Sequence, residues 1–140
     1  MHRLARASAI GLMFAAPGLA SAHHSFAMFD AGKLSAIEGT VKDFQWTNPH
    51  SVTWIEVPAA NGGPATVWPM EMASPANLLR MGWNKRSLKA GDKVRVEFNP
   101  LRDGKPGGNL KKATVLATGQ VFTTQSLTGQ VFGTDAKAPD

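Results

Sequence analysis

Between Lys93 and Phe98 every second residue is apolar: Val94, Val96 and Phe98 alternate with Lys93, Arg95 and Glu97. A period of two marks a strand with one face in a core and the other in water, whereas a helix would scatter those three side chains around its circumference. The same period recurs upstream, where Ile37, Gly39 and Val41 alternate with polar neighbours in a segment running on toward Phe44 and Trp46. Ser51 to Val57 is rich in β-branched and aromatic residues, as strands are. Asn61-Gly62-Gly63-Pro64 is a strong turn signal. It makes Ala65 to Glu71 the second arm of a hairpin, on which Pro69 calls for an edge or a bulge. Leu110 to Ala117 reads as the last strand, behind a loop containing Asp103 to Gly108.

One segment has helix punctuation. Ser74 fits the cap, Pro75 the first helical position, Ala76 to Met81 contains good helix formers, and Gly82 fits the stop. The order is three strands, a short helix, then two strands, which is the order of a small five-stranded OB-like β-barrel. Gly39 suits a barrel corner, where a strand bends without a side chain in the way. The competing architecture, a two-sheet sandwich, calls for about seven strands, and five are readable here. The barrel is assigned to residues 35–118, after an arm at 23–34. A tail at 119–140 is mobile or an appended hairpin, and in it Thr118-Gly119-Gln120-Val121-Phe122 recurs as Thr128-Gly129-Gln130-Val131-Phe132. Two copies fall short of a repeat fold.

The start of the chain predicts export. Arg3 and Arg6 precede an apolar run from Ala7 to Ala16, then Pro17-Gly18 and the small-residue site Ala20-Ser21-Ala22. Those are the parts of a secretory signal peptide over residues 1–22, cleaved after Ala22, and the expected location is the periplasm. The run is shorter than the roughly 20 residues a membrane span needs, and no second one follows, so no span is expected after cleavage. Removal of 1–22 leaves 118 residues and lowers the formal charge from +5 to +3 by removing two arginines and no acid. The remaining cations are dispersed rather than gathered into a stripe, which argues against nucleic acid. No cysteine is present, so disulfides, thiolate zinc sites and thiol nucleophiles are excluded, and an apolar core must hold the fold.

Cleavage after Ala22 frees an α-amine on His23, with His24 next. The amine and one imidazole nitrogen can close a chelate ring on a single ion, and His24 adds a second imidazole. Such nitrogen-rich donors suit Cu(II). The amine has an ordinary pKa of about 7.7–8.0, so a metal displaces its proton near neutral pH. His50, at the exit of Thr47-Asn48-Pro49, supplies a third imidazole if the arm folds back. Met70 and Met72 offer thioethers, which select Cu(I), and their spacing puts them on one face of a strand beside Trp68. Each feature also has a plainer role. A terminal histidine pair binds metal adventitiously, His50 can cap its turn, and methionines fill core gaps. Glu71 then faces outward, toward Arg80 or Lys42. Trp46, Trp54 and Trp83 form either a stacking platform or the core. No serine sits in a G-x-S-x-G setting, and the glycines from Gly104 to Gly108 lack the context of a phosphate cradle, so neither hydrolysis nor nucleotide chemistry is read here.

Two resemblances bear on these residues. His23-His24-Ser25-Phe26, Gly39-Thr40-Val41, Phe44-x-Trp46-x-Asn48-Pro49-His50, Gly82-Trp83 and Gly91-Asp92-Lys93-Val94 resemble a family of small exported proteobacterial proteins of unknown function. Residues 68–112, carrying Trp68-Pro69-Met70-Glu71-Met72, Gly91-Asp92-Lys93-Val94 and Gly108-Asn109-Leu110, are similar to the CusF-type periplasmic copper(I)/silver(I) chaperone. That resemblance implies an OB barrel holding copper with one histidine and two methionines under a tryptophan ring. By position these are His50, Met70, Met72 and Trp68, although the methionines follow the tryptophan more closely here than in that family. The expectation is therefore a non-catalytic periplasmic copper carrier or accessory, with metal ligands among His23, His24, His50, Met70, Met72 and Trp68. The alternative is a metal-free module whose barrel face, with Trp46 and Trp54, docks an unknown periplasmic protein or a small ligand. A histidine brace also serves oxidative chemistry, but 118 residues with no tyrosine and no evident substrate surface argue against an oxidase.

Overall fold

The computed structural model describes residues 26–124 of the 140. The expected leader, residues 23–25 of the arm and the tail from 125 onward lie outside the described residues. The elements are a 3-10 turn at Phe26–Met28, strands β1 (Ser35–Gln45), β2 (Val52–Val57) and β3 (Thr66–Glu71), helix α1 (Pro75–Arg80), then β4 (Lys93–Pro100), β5 (Gly108–Val115) and β6 (Val121–Thr123). Antiparallel pairing runs β3-β2-β1-β4-β5-β6, and a parallel contact between β3 and β5 joins the two ends of the five-strand set. Five strands therefore close into a barrel, with one short helix between the third and fourth among the described residues, as the order of elements predicts.

The long first strand makes this closure possible. Residues Ser35 to Thr40 pair with β4, residues Thr40 to Gln45 pair with β2, and the register shifts between Val41 and Asp43. Such an irregularity bends a strand and strengthens its twist. Gly39 sits at the changeover, where a Cβ would lie 2.5 Å from the Glu56 carbonyl oxygen and 2.7 Å from Ile55 Cγ2. Only a residue without a side chain lets β2 cross that close.

Inside the barrel, Val94, Val96 and Phe98 from β4 meet Val41, Ile55 and Leu110, all 1% exposed or less. Helix α1 closes one end. The Ser74 hydroxyl accepts the Asn77 N–H, Pro75 occupies the first turn, and Gly82 takes φ +85° after the C-cap. Leu78 is the buried residue of that helix, and Trp83 follows it inward. The Trp83 ring packs 4.9 Å from Phe122, and its indole N–H donates to the Thr123 carbonyl at 2.7 Å.

The sequence reading counts five barrel strands and leaves residues 119–140 as a mobile tail or an appended hairpin. The structure adds a sixth, β6, folded back on β5 through a turn in which Gly119 adopts φ +71° and Val115 N–H donates to the Gln120 carbonyl. The fifth strand also starts earlier than its apolar run, at Gly108 rather than Leu110.

Candidate functional site

The β2–β3 hairpin presents two chemically different faces. Register pairs Thr53 with Met70, Ile55 with Trp68, Trp54 with Pro69 and Val52 with Glu71. Opposed residues share a face, so Met70 and Trp68 turn inward while Glu71, Pro69, Val52 and Trp54 turn outward. Met70 and Met72 are wholly buried members of the core. Trp68 is partly buried on the same side, its ring edge-on to Phe98 at 5.8 Å.

His50 belongs to the outer face. Its Nδ1 hydrogen-bonds to Glu71 Oε1, with both side chains about a quarter exposed, 27% and 25%. With the carboxylate ionised it accepts only, and a neutral ring then donates from Nδ1 and keeps its lone pair on Nε2. Such a bond fixes the orientation of the imidazole. Glu71 faces outward as expected, but toward His50 and not toward Arg80 or Lys42. Arg80 bonds Asn77, and Lys42 pairs with Glu56 at 3.1 Å. Sequence reasoning missed this partner because 21 residues separate the two groups. The hairpin register was the signal that could have found it, since it brings Glu71 opposite Val52, two residues from His50.

The arm folds back over this face. Phe26 lies with its ring centroid 5.7 Å from that of His50, tilted by 35°. Three hydrogen bonds hold the arm against the end of β4 and the connection to β5. Asp30 N–H donates to the Pro100 carbonyl (2.8 Å) and Arg102 N–H to the Met28 carbonyl (2.9 Å), which together make the bridge between Phe29 and Leu101. The Arg102 Nε–H reaches the Ala27 carbonyl (3.1 Å). Between arm and hairpin lies an apolar cleft of about 180 Å³ lined by residues including Met28, Phe29, Trp54, Pro69 and Leu101, with Glu71 at its polar side. The Trp54 indole N–H is buried without a hydrogen-bond partner.

The six sequence-derived ligands are thus not gathered in one place. Met70, Met72 and Trp68 share the inner face, His50 takes the outer face, and His23 and His24 lie outside the described residues. Among the described residues no three histidine, aspartate or glutamate side chains converge as a metal-holding group. Of the tryptophans read as platform or core, Trp83 is core, Trp46 packs edge-on to Phe44 at 5.8 Å, and Trp54 lines the cleft.

No curated protein and no solved structure matches this chain significantly. Residues 12–111 match DUF6152, a family of unknown function, and the chain belongs to that family.

Proposed function

We propose that this protein, a member of a family without an assigned activity, is an exported, non-catalytic copper-binding protein of the periplasm. Its Cu(II) ligands are the α-amine and imidazole of His23, freed by cleavage after Ala22, together with His24 and Nε2 of His50. The observation that carries this reading is the packing of Phe26 on His50. Phe26 follows His23 by three residues, and a chain extends at most about 3.3–3.6 Å per residue. An N-terminus beginning at His23 therefore starts within about 11 Å of the Phe26 backbone, a span that leaves the imidazole held by Glu71 within its reach. The donors are nitrogen atoms with a carboxylate behind one of them, a set that suits Cu(II). Met70 and Met72 keep a core role in this reading, because thioethers sealed inside a barrel exchange no ion with solvent.

The test is Cu(II) titration, with electron paramagnetic resonance, of the chain beginning at His23 and of a matched chain carrying one extra N-terminal alanine. Tight one-to-one binding that weakens by two orders of magnitude or more in the extended chain supports the terminal chelate. Equal, weak binding in both sinks it. One observation favours a second reading, a metal-free module. The cleft beside Glu71 is lined mainly by apolar side chains, Trp54 and Pro69 among them, a surface suited to a small apolar ligand or side chain. That reading predicts binding indifferent to N-terminal extension and lost in Trp54→Ala.

A further inference from the structure

Strand β6 is built from a heptapeptide that the chain spells twice. Thr118-Gly119-Gln120-Val121-Phe122-Thr123-Thr124 is followed by Thr128-Gly129-Gln130-Val131-Phe132-Gly133-Thr134, identical at six of seven positions. The structure gives six of the seven residues of the first copy a task. The Thr118 hydroxyl accepts the Gln120 N–H at 3.2 Å, and Gly119 takes the positive φ of +71° that the turn requires. The Gln120 carbonyl accepts Val115 N–H at 2.9 Å, and Phe122 is buried against Trp83. The Thr124 hydroxyl donates to the Leu110 carbonyl at 2.6 Å. Threonine, glycine, glutamine, phenylalanine and threonine all recur in the second copy. The position that differs, Thr123 against Gly133, lends its carbonyl oxygen to the Trp83 indole, and a glycine has the same oxygen.

We propose that residues 128–134 are a second, competent β6, able to replace residues 118–124 on the edge of β5 and over Trp83 in the same chain. The β5 edge and the Trp83 ring then form a recognition surface for a strand of pattern T-G-Q-V-F-x-T, and this chain carries two such strands. The first copy holds the site because its connection is shorter. Four residues, 116–119, link Val115 to Gln120, against fourteen, 116–129, for the second copy. Loop-closure probability falls with the three-halves power of length, so the second arrangement is disfavoured by about sevenfold. An edge strand with two interchangeable occupants keeps Trp83 covered whenever one of them is displaced, cut or bound elsewhere.

The experiment is a double-mutant cycle on the unfolding equilibrium of the chain from His23 to Asp140, read by denaturant titration. Phe122→Ala alone is expected to cost about sevenfold in the equilibrium constant, because the second copy takes over. Phe132→Ala alone is expected to change it less than twofold. The two together should cost a hundredfold or more, the ordinary loss for truncating a buried phenylalanine. Ending the chain at Leu127 should make Phe122→Ala equally severe. Where the alanine pair leaves no folded protein, Phe122→Leu with Phe132→Leu repeats the cycle at smaller amplitude. Additive effects, with Phe122→Ala alone already costing the full hundredfold, would overturn the proposal. So would a large loss from Phe132→Ala alone, which means a fixed seventh strand, or a Phe122→Ala rescue that depends on protein concentration, which means exchange between two chains.

Discussion

Strand β3 is read differently from its two sides. Met70 and Met72 point into the barrel, with no measurable exposure, among Leu78, Val96 and Phe98. Glu71, between them in sequence, points the other way, against His50 and beside the arm. By residue type, the methionines look like the more distinctive ligand pair. By environment, the histidine and glutamate are the groups that solvent and the arm reach, while the methionines are packing atoms of the core. One pleat of the strand makes that difference.

The sharpest way to break this contrast is to truncate the inner side. Met70→Ala or Met72→Ala should each cost about 2–5 kcal/mol of stability through lost burial and the cavity left behind, while leaving Cu(II) affinity at the N-terminus unchanged. Denaturant unfolding and copper titration of the same samples check both halves. A collapse of Cu(II) affinity in a still-folded Met70 variant would erase the distinction between the faces.

The outer side should show the reverse pattern. His50→Ala is expected to lower Cu(II) affinity about a hundredfold or more, and Glu71→Gln about tenfold, the lower end of what loss of a supporting partner costs. Each should cost at most about 1.5 kcal/mol in stability, the net worth of an ordinary hydrogen bond. Outward position alone should not produce this effect. Lys42 and Glu56 also face outward and pair at 3.1 Å, with 50% and 42% of their side chains exposed. Lys42→Ala is therefore expected to change stability by about 0.2–1 kcal/mol, less at high salt, and to leave copper affinity alone.

Much of the barrel was legible because its instructions are local. The period of two over Val94, Val96 and Phe98, the Asn61-Gly62-Gly63-Pro64 turn and the Ser74-Pro75…Gly82 punctuation each sit within one short window. Gly39 could be read as a corner for the same reason, although the atoms that forbid its Cβ belong to β2. The missed elements depend on distant partners. Gly108 looks like part of a loop, yet a Cβ there would lie 2.5 Å from the Asn99 carbonyl, so a strand begins where the glycine run seems to continue. Strand β6 has three residues, too few to display a period, and is stabilised by β5 and Trp83 rather than by its own pattern. At the site, His50 was visible as a candidate, but its neighbour was not. The pairing of His50 with Glu71 is set by hairpin register, and the approach of Phe26 by contacts between the arm and Leu101 and Arg102.

The barrel's closure is uneven. β3 and β5 meet over two residue pairs, Met70 with Gly108 and Glu71 with Asn109, whereas β1 and β4 share six and β4 and β5 share seven. Asn109 adds a side-chain bond to the Glu71 carbonyl at 3.2 Å. Local opening is easiest where few backbone bonds must break, so among the seams of the five-strand barrel this one is expected to exchange its amide protons fastest. The residue at that seam is also the one that holds His50. A parting of β3 from β5 would therefore shift the carboxylate on which His50 rests, while the longer pairing of β1 with β4 stayed intact.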